Sequence, residues 1–371
     1  MYSIGIEEEF FVFDRRSRRA ARRADKNFIT AAKKTLSGQL MTEMLQSQIE
    51  VATPPCANLD EAREHLARYR TALGAAAAER GLGIAAVGTF PLALWSEQAV
   101  TPKARYDTIL DDLQMIGRRN MLCGMHVHVE VPDPASRVDL MMRLSPYLPL
   151  LLALSTSSPF WEGRLTGLRG YRLAAYDELP RTGLPPLLRT HQDYREFIDA
   201  LVGAGIIPDE SYIWWAIRPS KKFPTIELRI ADACTRLDDA LAIAALFRCL
   251  VRALDRDRAL NAGYDRVGRA ITEENKWHAQ RHGTAAIFVD AFRRMPASVD
   301  EWLAEVLDFI AGDAAALACE RDVAHLTKIA AQGSSADRQL AVYNDAVKAG
   351  RKRLTALKDV VDWAGAQTLA V

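Results

Sequence analysis

Apolar and polar positions alternate with a period near two in several short stretches of the first part of the chain, and recur at helical spacing through the last part. Ile4–Asp14, IGIEEEFFVFD, reads as a strand inside a sheet, because Ile, Phe and Val frame its acids and a charged loop follows. Residues 38–53 mix Gln and Glu with apolar side chains before Pro54-Pro55 stops them, which predicts two short strands joined by a bend. Asn58 and Glu61 form a capping-box pattern, and Leu66, Tyr69, Leu73 and Ala77 then mark a helix that Gly81 and Gly83 end. Strands are expected over 82–89, 121–132, 214–218 and 225–231, and helices over 101–119, 140–154, 191–203 and 237–254. Beyond Glu273 the pattern is mostly helical, with Ser298 and Glu301 as a second capping box ahead of an amphipathic run to Cys319.

A strand-rich part over about 1–235, followed by a helical part over about 236–371 without regular strand-helix alternation, predicts an α+β architecture. No repeat, low-complexity tract or Gly/Ser linker separates the parts, so residues 1–371 are expected to form one domain.

Composition adds exclusions. The 371 residues carry 48 Lys+Arg against 47 Asp+Glu, a formal charge of +1, so neither nucleic acid nor an anionic membrane is an expected partner. Arg15, Arg16, Arg18, Arg19, Arg22 and Arg23 crowd one stretch that reads as a solvated face. The N-terminal stretch lacks the basic-then-apolar pattern of a secretory leader. The longest apolar stretch, about 147–154, falls short of the roughly 20 residues of a membrane span. Five widely spaced cysteines, with no C-x-x-C pair, suit a reduced, cytoplasmic protein.

Four segments carry chemistry. In Glu7-Glu8-Glu9 the strand period puts Glu7 and Glu9 on one face and Glu8 on the other, and adjacent like charges need a cation or protons to neutralise them. Glu43 and Glu50 suit two adjacent strands joined by the predicted bend. In GMHVHVE, His126, His128 and Glu130 share a face, and in TIELRI, Glu227 and Arg229 share one. Structural ion pairs or a solvated edge are the plain alternatives. Taken together, oxygen donors with occasional imidazole suit magnesium or manganese. No H-E-x-x-H, paired cysteines, Walker loop or G-x-G-x-x-G after a strand is present, so metal ions rather than a glycine loop would have to hold the phosphates of any bound nucleotide.

IGIEEEFFVFD, LQSQIEVATPP, GTFPLALW, GMHVHVEVPD, SSPFWEGRLTGLRGYR, WWAIRPS, TIELRIAD and ENKWHAQRHG, in that order, resemble the carboxylate-amine ligases of the glutamate–cysteine ligase type 2 family. More distantly the chain is similar to glutamine synthetase. The resemblance implies a catalytic domain with a curved, mainly antiparallel sheet of about six strands, helices on its outer face and the active site on the concave side. It also implies ATP with magnesium or manganese as cofactors, and a homodimer. ATP would phosphorylate a glutamate-like carboxylate, and cysteine or another amine would displace the phosphate. By position, Glu7, Glu9, Glu43, Glu50, His126 and Glu227 match the metal ligands, with Glu7, Glu50 and Arg229 as the catalytic set. His128 and Arg229 would face the nucleotide, and Arg164, Arg172, Trp215 and Arg218 the substrate. Ala216 and Ala231 depart from the family pattern, and no general base is identified. A metal-dependent hydrolase or phosphotransferase on the same scaffold, or a non-catalytic nucleotide-binding protein, are the alternatives.

Overall fold

The computed structural model describes residues 2–23 and 25–371. Its first part runs β1 (Ile4–Asp14), α1 (Lys26–Thr35), β2 (Leu40–Thr42), β3 (Gln48–Ala52), α2 (Leu59–Ala78), β4 (Leu82–Ala85), α3 (Ala104–Arg118) and β5 (Met125–Glu130). Then come α4 (Pro134–Leu144), α5 (Leu148–Ser155), the two-residue strands β6 (Phe160–Trp161) and β7 (Arg164–Leu165), α6 (Tyr171–Tyr176), α7 (His191–Gly203), β8 (Ile217–Pro219) and β9 (Thr225–Leu228). The last part is α8 (Leu237–Arg256), α9 (Arg266–His282), the hairpin of β10 (Ile287–Val289) and β11 (Pro296–Ser298), then α10 (Val299–Ala316), α11 (Glu320–Gln332), α12 (Ser335–Lys348) and α13 (Arg353–Thr368).

The main sheet has the order β2-β3-β1-β5-β9-β8, with β4 as a seventh strand pairing the end of β1, and every ladder in it is antiparallel. This bears out the α+β reading and adds one strand to the six expected. Helices α2 and α8 pack against the sheet. The apolar positions Ile4, Ile6, Phe10, Met125, Val127, Ile226 and Leu228 are all buried in one continuous core. Pro219 sits at the end of the edge strand β8, where a missing N–H disturbs no ladder.

Several boundaries differ from the sequence expectation. The strand expected over 82–89 stops at Ala85, because beyond it the backbone bonds to side chains: Ala86 N–H donates to Thr368 Oγ1 at 3.0 Å and Gly88 N–H to Ser157 Oγ at 2.7 Å. The strand expected over 214–218 begins at Ile217, since Trp214 N–H and Ala216 N–H donate to the loop carbonyls of Arg181 and Gly183 instead of to a strand. The helix expected over 140–154 starts at Pro134 and is divided by a tight turn at Ser145–Tyr147. The combined stretch Pro134–Ser155 is long and apolar enough by composition to cross a membrane, yet 89% of its most apolar 18-residue window is buried inside the protein, where α5 packs on α8 and α9. Asn58 caps α2 through Glu61 N–H at 2.9 Å, but Glu61 reaches back to Ala57 N–H instead of closing the box. The Ser298 and Glu301 box is complete. The arginine-rich stretch is a turn after β1, largely exposed, with Arg18 paired to Asp362 of α13 at 2.9 Å.

Candidate active site

Glu8 turns toward the helices, where Arg70 of α2 grips both its carboxylate oxygens at 2.6 and 3.0 Å. Arg70 is 0% exposed and also donates to the carbonyls of Cys234, Thr235 and Thr368. The opposite face of the sheet therefore receives Glu7 and Glu9. Antiparallel register then lines up their partners: Glu9 lies opposite Glu50, Glu7 opposite His126, and His128 opposite Glu227, which in turn faces Arg218.

Two groups of ligand atoms result. Glu7, Glu50 and His126 place theirs within 4.8 Å of one another, as do Glu9, Glu43 and Glu50, so Glu50 belongs to both. Glu43 reaches the group from the bend after β2, a bend held where Thr101 Oγ1 donates to the Glu43 carbonyl at 2.6 Å. Burial pushes Glu9 up to about 7, with the charge of Glu43 adding to it. Glu43 is likewise raised by burial, and Glu50 is raised well above the carboxylate range by burial and by the charges of Glu7, Glu43 and Glu9. Carboxylates crowded in so small a space, here Glu9, Glu43 and Glu50, hold protons unless a cation replaces them.

Glu7 behaves differently. Burial opposes its ionisation, but hydrogen bonds from His126 and His128 outweigh it and hold the carboxyl well below its usual range. His126 is pushed down to about 4 by burial and by the Arg229 charge, so it is neutral at pH 7. Its Nδ1 lies 3.0 Å from Glu7 Oε2, while its Nε2 is buried without a partner among the described residues. A neutral imidazole whose Nδ1–H donates to a carboxylate leaves Nε2 with a lone pair, the arrangement of a metal ligand. The residues thus fit a pair of divalent cations with oxygen ligands and one imidazole.

Other residues matched by the resemblance lie elsewhere. Glu227 joins neither ligand group: it accepts from Arg218 Nε at 2.7 Å and from Arg229 Nη1, and the two guanidinium charges overcome burial to hold it far below the carboxylate range. Arg218, whose Nη1 also donates to the Ile213 carbonyl at 2.5 Å, is a positioning group for Glu227. His128 bonds through Nδ1 to Thr225 Oγ1 at 2.9 Å and lies edge-on to Phe223. Trp215 is buried against Phe197 and Tyr194, whereas its neighbour Trp214 lines the cleft. Arg164 stands exposed on the β6–β7 hairpin, outside the cleft lining, because the hairpin pairs only with itself. Glu130 accepts from Ser3 N–H at 3.2 Å.

Arg172, from α6, does enter the site. Its Nη1 donates to the carbonyls of Arg229 and Ala231 at 3.3 and 3.2 Å, and its guanidinium packs so closely on Gly124 that any Cβ there would collide with it. Gly124 N–H in turn donates to Glu9 Oε2 at 2.5 Å. Both Arg172 and Arg229 keep a buried Nε–H without an acceptor among the described residues. Tyr176, also from α6, accepts from Arg229 Nη2 at 3.3 Å, and Tyr106 and Arg105 arrive from α3. The sequence pointed to none of these three. Tyr176 lies four residues from Arg172, one helical turn, and that spacing was the available signal.

Acids of the row line two chambers. One, of about 240 Å³, is lined by Glu9, Glu43, His126, Arg172 and Arg229 with an apolar wall from Ile109, Leu113 and Leu122. The other, of about 490 Å³ and more apolar, is lined by Glu7, His128, Met41, Lys222 and Phe223.

Comparison with known proteins establishes the family and the fold. The model of glutamate–cysteine ligase family 2 matches residues 3–357. The chain belongs to that family. A relative from Bradyrhizobium diazoefficiens, whose name as a glutamate–cysteine ligase 2 is provisional, is 50% identical over 93% of this chain and 80% of its own. One from Rhodospirillum rubrum with the same provisional name is 45% identical over 100% of this chain and 96% of its own. Among solved structures, glutamate–cysteine ligase from Francisella tularensis in complex with AMP superposes with a TM-score of 0.69 at 12% identity, covering 100% of this chain and 90% of that one. A bifunctional glutathione synthetase from Pasteurella multocida gives 0.65 at 16% identity, over 99% of this chain and 52% of that one. These structures share the fold. Family membership bears out the enzyme class that the motifs implied, an ATP-dependent ligase.

Proposed function

We propose that this family 2 enzyme joins a glutamate-like carboxylate to an amine through an acyl phosphate, with cysteine as the first acceptor to test. The observation that supports it is Glu50, shared by two ligand groups, in a site where two arginines keep Nε–H donors without an acceptor among the described residues. Glu7, Glu9, Glu43, Glu50 and His126 would hold magnesium or manganese. Such ions, when bound, neutralise phosphate oxygens and so ease transfer of the γ-phosphoryl group.

The chain's own residues do the rest. The larger chamber suits a nucleotide, with His128 and Phe223 on its wall, and the smaller suits the amino acid. Arg172 is placed for the substrate carboxylate, since a guanidinium fork matches two carboxylate oxygens. Arg229, oriented by Glu227 and Tyr176, offsets charge on the transferring phosphoryl oxygens. Transfer forms a bond from phosphorus to the carboxylate oxygen and releases ADP. The amine nitrogen then attacks the acyl carbon, its bond forms, the bond to phosphate breaks, and the surplus ammonium proton leaves. Ile109, Leu113 and Leu122 keep water from the acyl carbon.

The test is magnesium-dependent phosphate release from ATP, with amino acids scanned against amines and products weighed by mass spectrometry. Release that needs both partners and yields their summed mass less water supports the ligase. Release without any amine supports the hydrolase or phosphotransferase. A homodimer and a cytoplasmic setting complete the proposal, and sedimentation reports on the first.

A further inference from the structure

A void of about 170 Å³ opens where α8, α11, α12 and α13 meet, sharing no lining residue with either chamber of the cleft. Three cations line it: Arg236 at the start of α8, Lys328 on α11 and Arg338 on α12. None pairs with a carboxylate among the described residues. Arg236 Nε donates to Gln367 Oε1 at 2.8 Å and Arg338 Nη2 to Gln332 Oε1 at 2.9 Å, so both arginines have found neutral acceptors that leave their charge uncompensated. Arg338 Nε is buried with no acceptor at all among the described residues. Asp239, the one acid in the lining, already bonds His325 Nε2 at 2.7 Å.

Like charges gathered around a void repel one another, and solvent screens them poorly in proportion to their burial. An anion in the void removes that repulsion and gives the free N–H edges their acceptors, and guanidinium groups suit tetrahedral oxyanions in particular. The hydroxyl of Ser335, which also lines the void, donates to Thr235 Oγ1 at 2.6 Å, because Thr235 Oγ1 itself donates to the Ala86 carbonyl at 2.8 Å, so the cations are what offer an anion its donors.

We propose that this void binds a compact phosphate-type dianion, either free phosphate or the head of a small phosphorylated metabolite. The proposal does not rest on the ligase reading. Isothermal titration calorimetry on the whole protein, without ATP or magnesium and at low ionic strength, tests it with inorganic phosphate in one arm and glycerol 3-phosphate in the other. One saturable site per chain is expected, and the arm that saturates at lower concentration names the source. Lys328→Ala with Arg338→Ala should weaken binding at least about tenfold, while Arg229→Ala in the cleft should leave it unchanged. Lys328 is exposed, so Lys328→Ala alone, expected to weaken binding severalfold, keeps the test valid should the double variant unfold. Trp363 in the lining supplies a local reporter, and a phosphate-induced fluorescence change should vanish in Trp363→Phe. No saturable heat in either arm, or binding that survives the Lys328 and Arg338 changes but not Arg229→Ala, overturns the proposal.

Discussion

Replacing Glu50 by Gln should make the metal-free protein more stable while abolishing its response to magnesium. Glu50 sits in both ligand groups, within 4.8 Å of Glu7, Glu9 and Glu43 ligand atoms. Two unit charges at that distance repel by ~3.5 kcal/mol at an effective dielectric constant of about 20. Protonation within the cluster relieves part of this, which leaves roughly 1–3 kcal/mol to be recovered at pH 8. Gln has the same shape, and its amide can donate to Glu43, which already hydrogen-bonds Glu50. Unfolding entropy of about 2.1 cal/mol/K per residue, over a chain this long, turns that gain into a rise of about 1–4 °C in Tm. Calorimetry in EDTA at pH 8, repeated with magnesium, reads both effects. The wild type should gain Tm with magnesium because the ion binds only the folded state, and Glu50→Gln should lose most of that gain together with phosphate release. A metal-free variant less stable than the wild type, or one that magnesium stabilises equally, would falsify the reading of a repulsive cluster awaiting a cation.

Glu8→Ala should destabilise the fold by about 3–5 kcal/mol in urea unfolding, because it strands the buried Arg70 charge; a loss under about 1 kcal/mol would show that Arg70 finds other compensation. Magnesium uptake should release protons near neutral pH and tighten as pH rises, since burial holds a proton on Glu9 up to about 7 and the ion must displace it. Calorimetry in buffers of different ionisation heat measures this, and buffer-independent heats would contradict it. By the same sign, the contribution of Glu9 to metal-free stability is complete at acid pH and declines as pH rises toward 7. Arg229→Lys should lower kcat/KM on the order of 10²–10³ with little change in Tm, the scale of losing one oriented donor. Arg172→Ala should raise KM for the carboxylate substrate well beyond tenfold, whereas the exposed Arg164→Ala should leave it within about twofold; the reverse order would return the clamp to the β6–β7 hairpin.

The sequence was most informative where a residue's role depends on its own strand. The period of two in β1 and β5 placed Glu7 with Glu9, and His126 with His128, and the structure keeps both pairs on one face. It was least informative about arginines. Arg164 and Arg172 look alike in EGRLTGLRGYR, yet one stands in solvent on a hairpin and the other, carried inward by α6, lies under Gly124. Trp215, expected at the substrate, is turned into the core while its neighbour Trp214 lines the cleft, because strand β8 starts only at Ile217.

Local pattern alone determined that acids alternate across an apolar strand, that strands precede helices, and, through motifs in order, that this is a family 2 ligase. Tertiary structure decided which charges meet. Glu8 finds Arg70 62 residues away, Glu50 is shared between two ligand groups, and Glu227 is taken by two arginines instead of joining the metal-competent acids. Periodicity fixes a side chain's direction because it follows from backbone geometry within a few residues. Partners across the sheet depend on register and on helix packing between segments far apart in sequence, and neither is written in the spacing of any one segment.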